Sequence, residues 1–425
     1  MAPPQRRRQP DTIRATTLDV QHSNRRSAVV VGPVRLPPRD ELTTRILSMA
    51  AVGPETRVGL QPSSSATRWR YSPESARAAV SDTVLPAGAD PVTLVATLRQ
   101  RPDSGIRVLT AGDYLAIDFS HGLGEIPLLH TVIDVLFGNV DPADHSRWGR
   151  YRRSVPPLLA AGVRAIGLEP HRLLPLWRQH RRNTTTPAQT DAHNGGDAVP
   201  SPATRVARIA AAEVAELRAQ RDWSSPGVSL FAIYTHALYR AFIAAGFDVD
   251  RTVTIPFDVR RFLPGGHDTL ASFSAGLDFT LDPRAGPARL HDQMTEANSM
   301  ARPVANLIAG TLTTRAATRS GEVTEWTVSA RPRLRLLHSS IGSVPRSGRW
   351  PFTDPSEARV LVASDPAGPC GMTVTTSTVT GALWLTAEFH GSVFDAARVG
   401  AALDSVAAQA RSLIRPPAPE KRSAR

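Results

Sequence analysis

The sequence predicts an α/β protein of two lobes, and three observations lead there. At 425 residues the chain holds about two domain-sized cores. Short β-branched or apolar runs, such as 114–119 and 382–389, share the chain with stretches of helical apolar spacing, such as 393–414. No apolar run nears the ~18 residues of a membrane span, so the apolar surface must be buried in the chain's own cores.

The elements follow in order. Residues 1–27, with six arginines against two aspartates, read as a disordered basic tail. Lobe one is expected over 28–182, with a helix at 91–100 and strands at 106–110 and 114–119 paired around Ala111-Gly112-Asp113. A helix then runs from Ile126 to Leu136, with Pro127 in a first turn that needs no backbone donor. Thr-Thr-Thr-Pro and Asn-Gly-Gly-Asp give 183–202 linker composition. Lobe two is expected over 203–415. It begins with an alanine-rich helix at 202–221, a mostly buried helix at 229–245 and a strand at 252–257. It ends with a hairpin of 372–378 and 382–389 and one long helix at 393–414, followed by a disordered tail at 416–425.

The segment from Tyr114 to Ile126 carries the chemistry. An apolar strand enters a loop that holds His121 and, four residues later, Glu125. An imidazole of pKa near ~6.5 can take a proton at neutral pH, and a loop at a strand end presents it to a cleft. Spacing alone also fits a loop or core histidine. A second segment supports the site reading: Pro256-Phe-Asp258-Val-Arg260, followed downstream by Ser272-Phe-Ser-Ala-Gly-Leu-Asp-Phe279.

In order and spacing the two segments resemble the chloramphenicol-acetyltransferase-like acyltransferases. These include condensation domains of nonribosomal peptide synthetases, wax ester synthase/diacylglycerol acyltransferases, and polyketide- and trehalose-lipid acyltransferases. Their motif, His-His-x-x-x-Asp-Gly, reads here Ser120-His121-Gly-Leu-Gly-Glu125-Ile126, and their Pro-x-Asp-x-Arg reads Pro256-Phe-Asp258-Val-Arg260. The likeness extends over about 40–414.

The resemblance implies two such lobes, each a mixed sheet flanked by helices, with a tunnel between them. It implies acyl transfer from a CoA or carrier-protein thioester to an alcohol or amine, with no bound cofactor, in specialised metabolism or lipid synthesis. His121 is then the general base, supported by Ser120, Glu125, Asp258 and Arg260, with Glu125 and Arg260 forming a bidentate pair. Gly122 and Gly124 would offer backbone N–H groups to the oxyanion, and Ser339, Ser340 and Gly342 would line the cleft. Ser120, Glu125 and Ile126 depart from the motif, and those departures favour an alternative: a non-catalytic condensation-like protein that binds a carrier protein or acyl ligand.

Composition narrows the chemistry further. The one lysine, Lys421, lies in the terminal tail, which leaves no lysine in the body for a P-loop or Schiff base. The single cysteine, Cys370, rules out intrachain disulfides and multi-cysteine metal sites, and no His-x-x-x-His pair suggests a metal. The net charge of +12 is concentrated: 1–27 carries +4, 147–182 carries +8 and 411–425 carries +4, leaving the rest near −4. No nucleic-acid motif accompanies this charge. Segment 147–182 interleaves leucines with arginines, which fits an ordinary helix with a solvated basic face or a peripheral membrane contact. The start of the chain has no apolar stretch after its charges, so a cytoplasmic location is expected.

Overall fold

A computed structural model describes residues 11–100, 105–152, 155–176, 195–197, 199–282, 285–320, 326–346 and 349–414. The first part of the chain supplies helix α1 (Thr17–His22), strand β1 (Arg26–Gly32), α2 (Arg39–Val52), β2 (Val80–Asp82), α3 (Thr93–Arg99), β3 (Arg107–Ala111), β4 (Tyr114–Ser120) and α4 (Ile126–Leu136). Next come β5 (Pro202–Ile209), α5 (Ala211–Ser224), α6 (Leu230–Ala244), β6 (Val249–Asp258), β7 (Ser274–Thr280), α7 (Gly286–Ser299) and α8 (Arg302–Ser320). The chain closes with β8 (Leu334–Val344), β9 (Arg359–Ser364), β10 (Gly371–Val379), β11 (Ala382–His390), α9 (Ala396–Asp404) and α10 (Val406–Ile414).

Two mixed sheets result. The five-stranded sheet has the order β9-β1-β4-β3-β2 and the six-stranded sheet the order β7-β6-β8-β10-β11-β5. Each lies against helices and has its own buried core, the first around Val29, Val30, Ile117, Leu42 and Ile133, the second around Ile255, Leu336, Leu385, Leu238 and Phe242. Central strands buried on both faces read as near-continuous apolar runs, which explains why β1 and β11 show little alternation. The expected α/β lobes with flanked sheets are present.

Several expected boundaries shift. The tail expected to be disordered contributes a strand, Thr12–Arg14, and then α1. Thr16 and Asp19 form a reciprocal capping box on α1, which stabilises a helix too short to show an apolar period. The helix expected at 202–221 is a strand followed by a helix. Residues 203–209 pair along β11 from Leu383–Ile209 to Phe389–Ala203, so tertiary pairing overrides a composition rich in alanine and arginine. The long C-terminal helix is two helices that meet at Ser405.

The second lobe also donates a strand to the first sheet. β9 lies within the expected second lobe yet pairs antiparallel with β1 of the first sheet, from Arg359–Gly32 to Ser364–Ser27. Of the expected linker, Gly195–Asp197 form a strand with Thr327–Ser329, whereas 183–194 and 198 lie outside the described residues, as does the tail at 416–425.

The segment 147–182 is not one helix. It holds short turns at His145–Gly149, Pro157–Gly162, Val163–Gly167 and Pro170–Arg172, broken by prolines that cannot continue a helix. Ala161 and Ala165 pack with Val259, Phe273 and Val304 from the second half of the chain, while Leu159, Leu168 and Leu173 are exposed. Residues 177–182 lie outside the described residues. Among the described residues no helix is long and apolar enough to cross a membrane.

Candidate active site

β4 ends at Ser120 and delivers His121 to a cavity of about 660 Å³ lined by both sheets. The first sheet side contributes Ser27, Phe119 and Leu129, and the second contributes Thr254, Asp258, Ser274 and Thr373.

The His121 loop is held by backbone acceptors and buried side chains. His121 N–H donates to Arg25 O at 2.7 Å, and Leu123 N–H to Ser120 O at 2.8 Å. Ser120 is buried; its hydroxyl donates to Ser23 O at 3.1 Å and accepts from Gly122 N–H at 3.3 Å. Arg57 donates to Gly122 O and Leu123 O, both at 2.8 Å, and pairs with Asp19 of α1 at 2.6 Å. A Cβ at Gly122 would meet Ser23 Oγ at 2.4 Å and Asp19 O at 2.5 Å, so glycine is needed for α1 to approach the loop.

This packing corrects the expected role of the loop glycines. Neither Gly122 nor Gly124 lines the cavity, and both N–H groups are taken, Gly122's by Ser120 and Gly124's by His121 O at 3.2 Å. Ser339 and Ser340 do line the cavity, on β8. Gly342 does not; it forms a bulge with φ +74° where the β8–β10 register slips, and its N–H donates to Ser340 Oγ at 3.2 Å.

Glu125 is the hub of the site. Arg260 Nη1 reaches its Oε2 at 3.3 Å, Ser274 Oγ donates to the same oxygen at 2.7 Å, and Ser274 N–H donates to Oε1 at 3.2 Å. The pair expected across 135 residues therefore forms, though through one nitrogen. The rest of the guanidinium is engaged elsewhere: Nη1 also meets Asp258 at 3.0 Å, Nε donates to Thr269 O at 2.8 Å, and Nη2 donates to Ala271 O. Asp258 is half exposed and lines the cavity. Arg260 thus shapes the 269–271 strand approach as well as balancing Glu125. Burial works to raise the Glu125 pKa, but the charges of Arg260 and His121 and the bond from Ser274 hold it well below the usual carboxylate range.

Ser272 was not recognised as a site residue in the sequence. Its hydroxyl lies 2.9 Å from His121 Nδ1 and donates to Glu125 Oε1 at 2.9 Å. An ionised carboxylate can only accept, so the serine proton goes to Glu125 and its lone pair accepts from Nδ1–H. That assignment leaves His121 Nε2 as the basic nitrogen, with no protein partner among the described residues, on a ring that lines the cavity. Burial lowers the His121 pKa; Glu125 opposes this and Arg25 adds to it. The ring is neutral at pH 7.

His22, in the segment expected to be disordered, was also missed. It ends α1, lines the cavity and stacks on His121 with ring centroids 5.2 Å apart. Burial, reinforced by His121, pulls its pKa down to about 4. A signal for both residues existed in the capping pattern before His22 and in the serine-rich run after Leu270, but neither names a contact with position 121.

No family model matches the chain, and no curated protein matches it. Solved structures do. A trichothecene 15-O-acetyltransferase from Fusarium sporotrichioides superposes with a TM-score of 0.66 at 9% identity, covering 95% of this chain and 96% of that one. The first condensation domain of the calcium-dependent antibiotic synthetase gives 0.56 at 15% identity, over 95% and 97% of the two chains. The epimerization domain from the third module of tyrocidine synthetase B gives 0.54 at 12%, over 93% of each. The chain therefore has the two-lobed chloramphenicol-acetyltransferase-like fold shared by that acetyltransferase and these synthetase domains.

Proposed function

We propose that the protein transfers an acyl group from a thioester, either acyl-CoA or an acyl chain on a phosphopantetheinyl carrier protein, to an alcohol or amine. The observation that carries this reading is the Glu125–Ser272–His121 chain, which fixes the tautomer and leaves Nε2 without a protein partner among the described residues, on a ring that lines a cavity between two sheets. Nε2 takes the proton from the acceptor O–H or N–H as that atom bonds to the thioester carbonyl carbon. The tetrahedral oxyanion collapses, the C–S bond breaks, and the imidazolium proton passes to the leaving sulfur. Glu125, reached through Ser272, favours the transient imidazolium, while Arg260 keeps Glu125 ionised. Ser339 and Ser340 supply hydroxyls along the cavity wall as donors to the oxyanion in place of the occupied glycine N–H groups.

The motif departures fit this role. Ser120 ties the loop to α1, Glu125 replaces a shorter carboxylate by reaching Ser272 and Ser274, and Ile126 lines the cavity at the start of α4. The test is incubation of the protein with a panel of acyl-CoAs and simple alcohols and amines, following free thiol. Thiol release that depends on both acceptor and His121 supports transfer. Tight acyl-CoA binding with no release from any acceptor supports the non-catalytic binding protein instead.

A further inference from the structure

Arg25 connects α1 to β1 and touches the base loop directly, since its carbonyl accepts the His121 N–H at 2.7 Å. Arg25 is among the residues that line the same cavity as His121 and His22. The guanidinium is short of partners for a partly buried cation: Nη2 donates to the Asp365 carbonyl at 2.7 Å, and Nε is buried with no hydrogen bond.

No carboxylate lies within ion-pair distance of Arg25 among the described residues. The neighbouring acids are spoken for. Asp365 accepts from Arg26 N–H at 2.6 Å and pairs with Arg99 at 3.1 Å; Asp118 pairs with Arg26 and Arg107; Glu388 pairs with Arg99. Arg25, Arg26, Arg99 and Arg107 thus gather around Asp118, Asp365 and Glu388, and Arg25 is the one of the four that makes no ion pair among the described residues. Deeper in the site the Arg260 guanidinium is already engaged by Glu125 and Asp258. A guanidinium withdrawn from water without a counter-ion is costly, and an anion brought in by a ligand removes that cost.

We infer that Arg25 binds a carboxylate carried by the substrate close to the reacting carbon, on either the acyl group or the acceptor. The inference rests on the acyl-transfer reading and narrows it to anionic substrates. The phosphates of CoA do not meet the requirement, because they lie at the far end of the pantetheine arm, whereas Arg25 adjoins the base. A planar fork suits a carboxylate and is poorly replaced by a point charge.

Calorimetric binding to the full chain tests this without turnover. Succinyl-CoA is compared with pentanoyl-CoA for the donor side, and 4-aminobutyrate with pentylamine for the acceptor side. In one pair the charged member should bind at least about tenfold tighter, and which pair identifies the source of the carboxylate. Arg25→Gln should remove that preference and Arg25→Lys should retain only part of it. Equal binding within both pairs by the parental protein, which requires no variant, overturns the proposal; so does a preference that survives Arg25→Gln. A preference present without any thiol release keeps the anion site and removes the transferase reading, so the two failures are distinguishable.

Discussion

His121, in the loop that follows β4 of the first sheet, and His338, within β8 of the second, are held in comparable ways in different surroundings. Each sits beside a hydroxyl whose proton is committed elsewhere. Ser272 donates to Glu125, and Thr235, 2.7 Å from His338 Nδ1, donates to Phe231 O at 2.8 Å. Each ring is therefore held as the Nδ1–H tautomer. The differences lie at the ends of the two chains. The His121 chain ends on a carboxylate, its ring lines the cavity, and its Nε2 has no protein partner among the described residues. The His338 chain ends on a neutral carbonyl, its Nε2 lies 3.5 Å from Thr376 in the core, and Phe231 stacks on it at 4.4 Å. A fixed tautomer is thus common to the proposed base and a core histidine. What separates them is an open nitrogen and a charge placed to accept the imidazolium.

The comparison can be broken most directly at the two histidines themselves. His121→Ala should lower transfer by about 10²–10⁴-fold with little change in thermal midpoint, whereas His338→Ala should lower the midpoint and leave activity per folded molecule near the parental value. Paired kinetics and melting curves on the two variants check this; equal losses of activity would erase the distinction.

The next largest effect is at the charge behind Ser272. Arg260→Met leaves Glu125 buried without its cation and should destabilise the protein by roughly 3–5 kcal/mol in urea unfolding. An unchanged midpoint would mean the pair is not the hub described here.

Ser272→Ala sharpens the tautomer argument. Nδ1 loses its acceptor and Glu125 loses one donor, so kcat should fall about tenfold, while Ser272→Thr, which keeps the hydroxyl, should recover most of it. A kcat unchanged by the alanine variant would detach the serine from the base.

Smallest are the pH effects, which have separate signatures at the two histidines. With His121 as the proposed base, transfer requires its neutral form; its pKa lies below the ordinary imidazole value, so kcat/KM should be flat near neutrality and fall only in acid. His338 is pulled by burial to about 3, below its unfolded value of about 6.5. Between these limits the unfolded chain binds more protons, so this contribution to stability is present above pH 6.5 and lost as pH falls toward 3. His338→Phe should flatten part of that slope in urea titrations across the acid range without moving the kcat/KM profile.

Much of the fold and half of the site were legible in the sequence because they are local. β4, the loop and α4 are consecutive, and the Pro256–Arg260 run announces its own strand end. Glu125 with Arg260 could be paired because each motif marks one partner. Ser272 and His22 could not, because a serine in a strand approach and a histidine at the end of a six-residue helix carry no period or spacing that points to position 121. The oxyanion expectation failed for a related reason: accessible glycine N–H groups were inferred from small side chains, but smallness here serves the close approach of α1 and of Leu270 O, which a Cβ at Gly124 would meet at 2.3 Å. β5 was read as helix because composition is local and edge pairing to β11 is not.

The donated strand has a consequence for biosynthesis. Val29, Val30 and Val31 of β1 are fully buried, and the outer edge of β1 pairs with a strand that leaves the ribosome more than three hundred residues later. Until then the nascent chain carries an unpaired apolar edge, a template for pairing with other chains. Neither half is a self-sufficient unit for expression: a fragment ending before 359 should need a chaperone or a supplied peptide spanning 359–364 to stay monomeric, and dissection of the protein into separate lobes should begin by moving that strand.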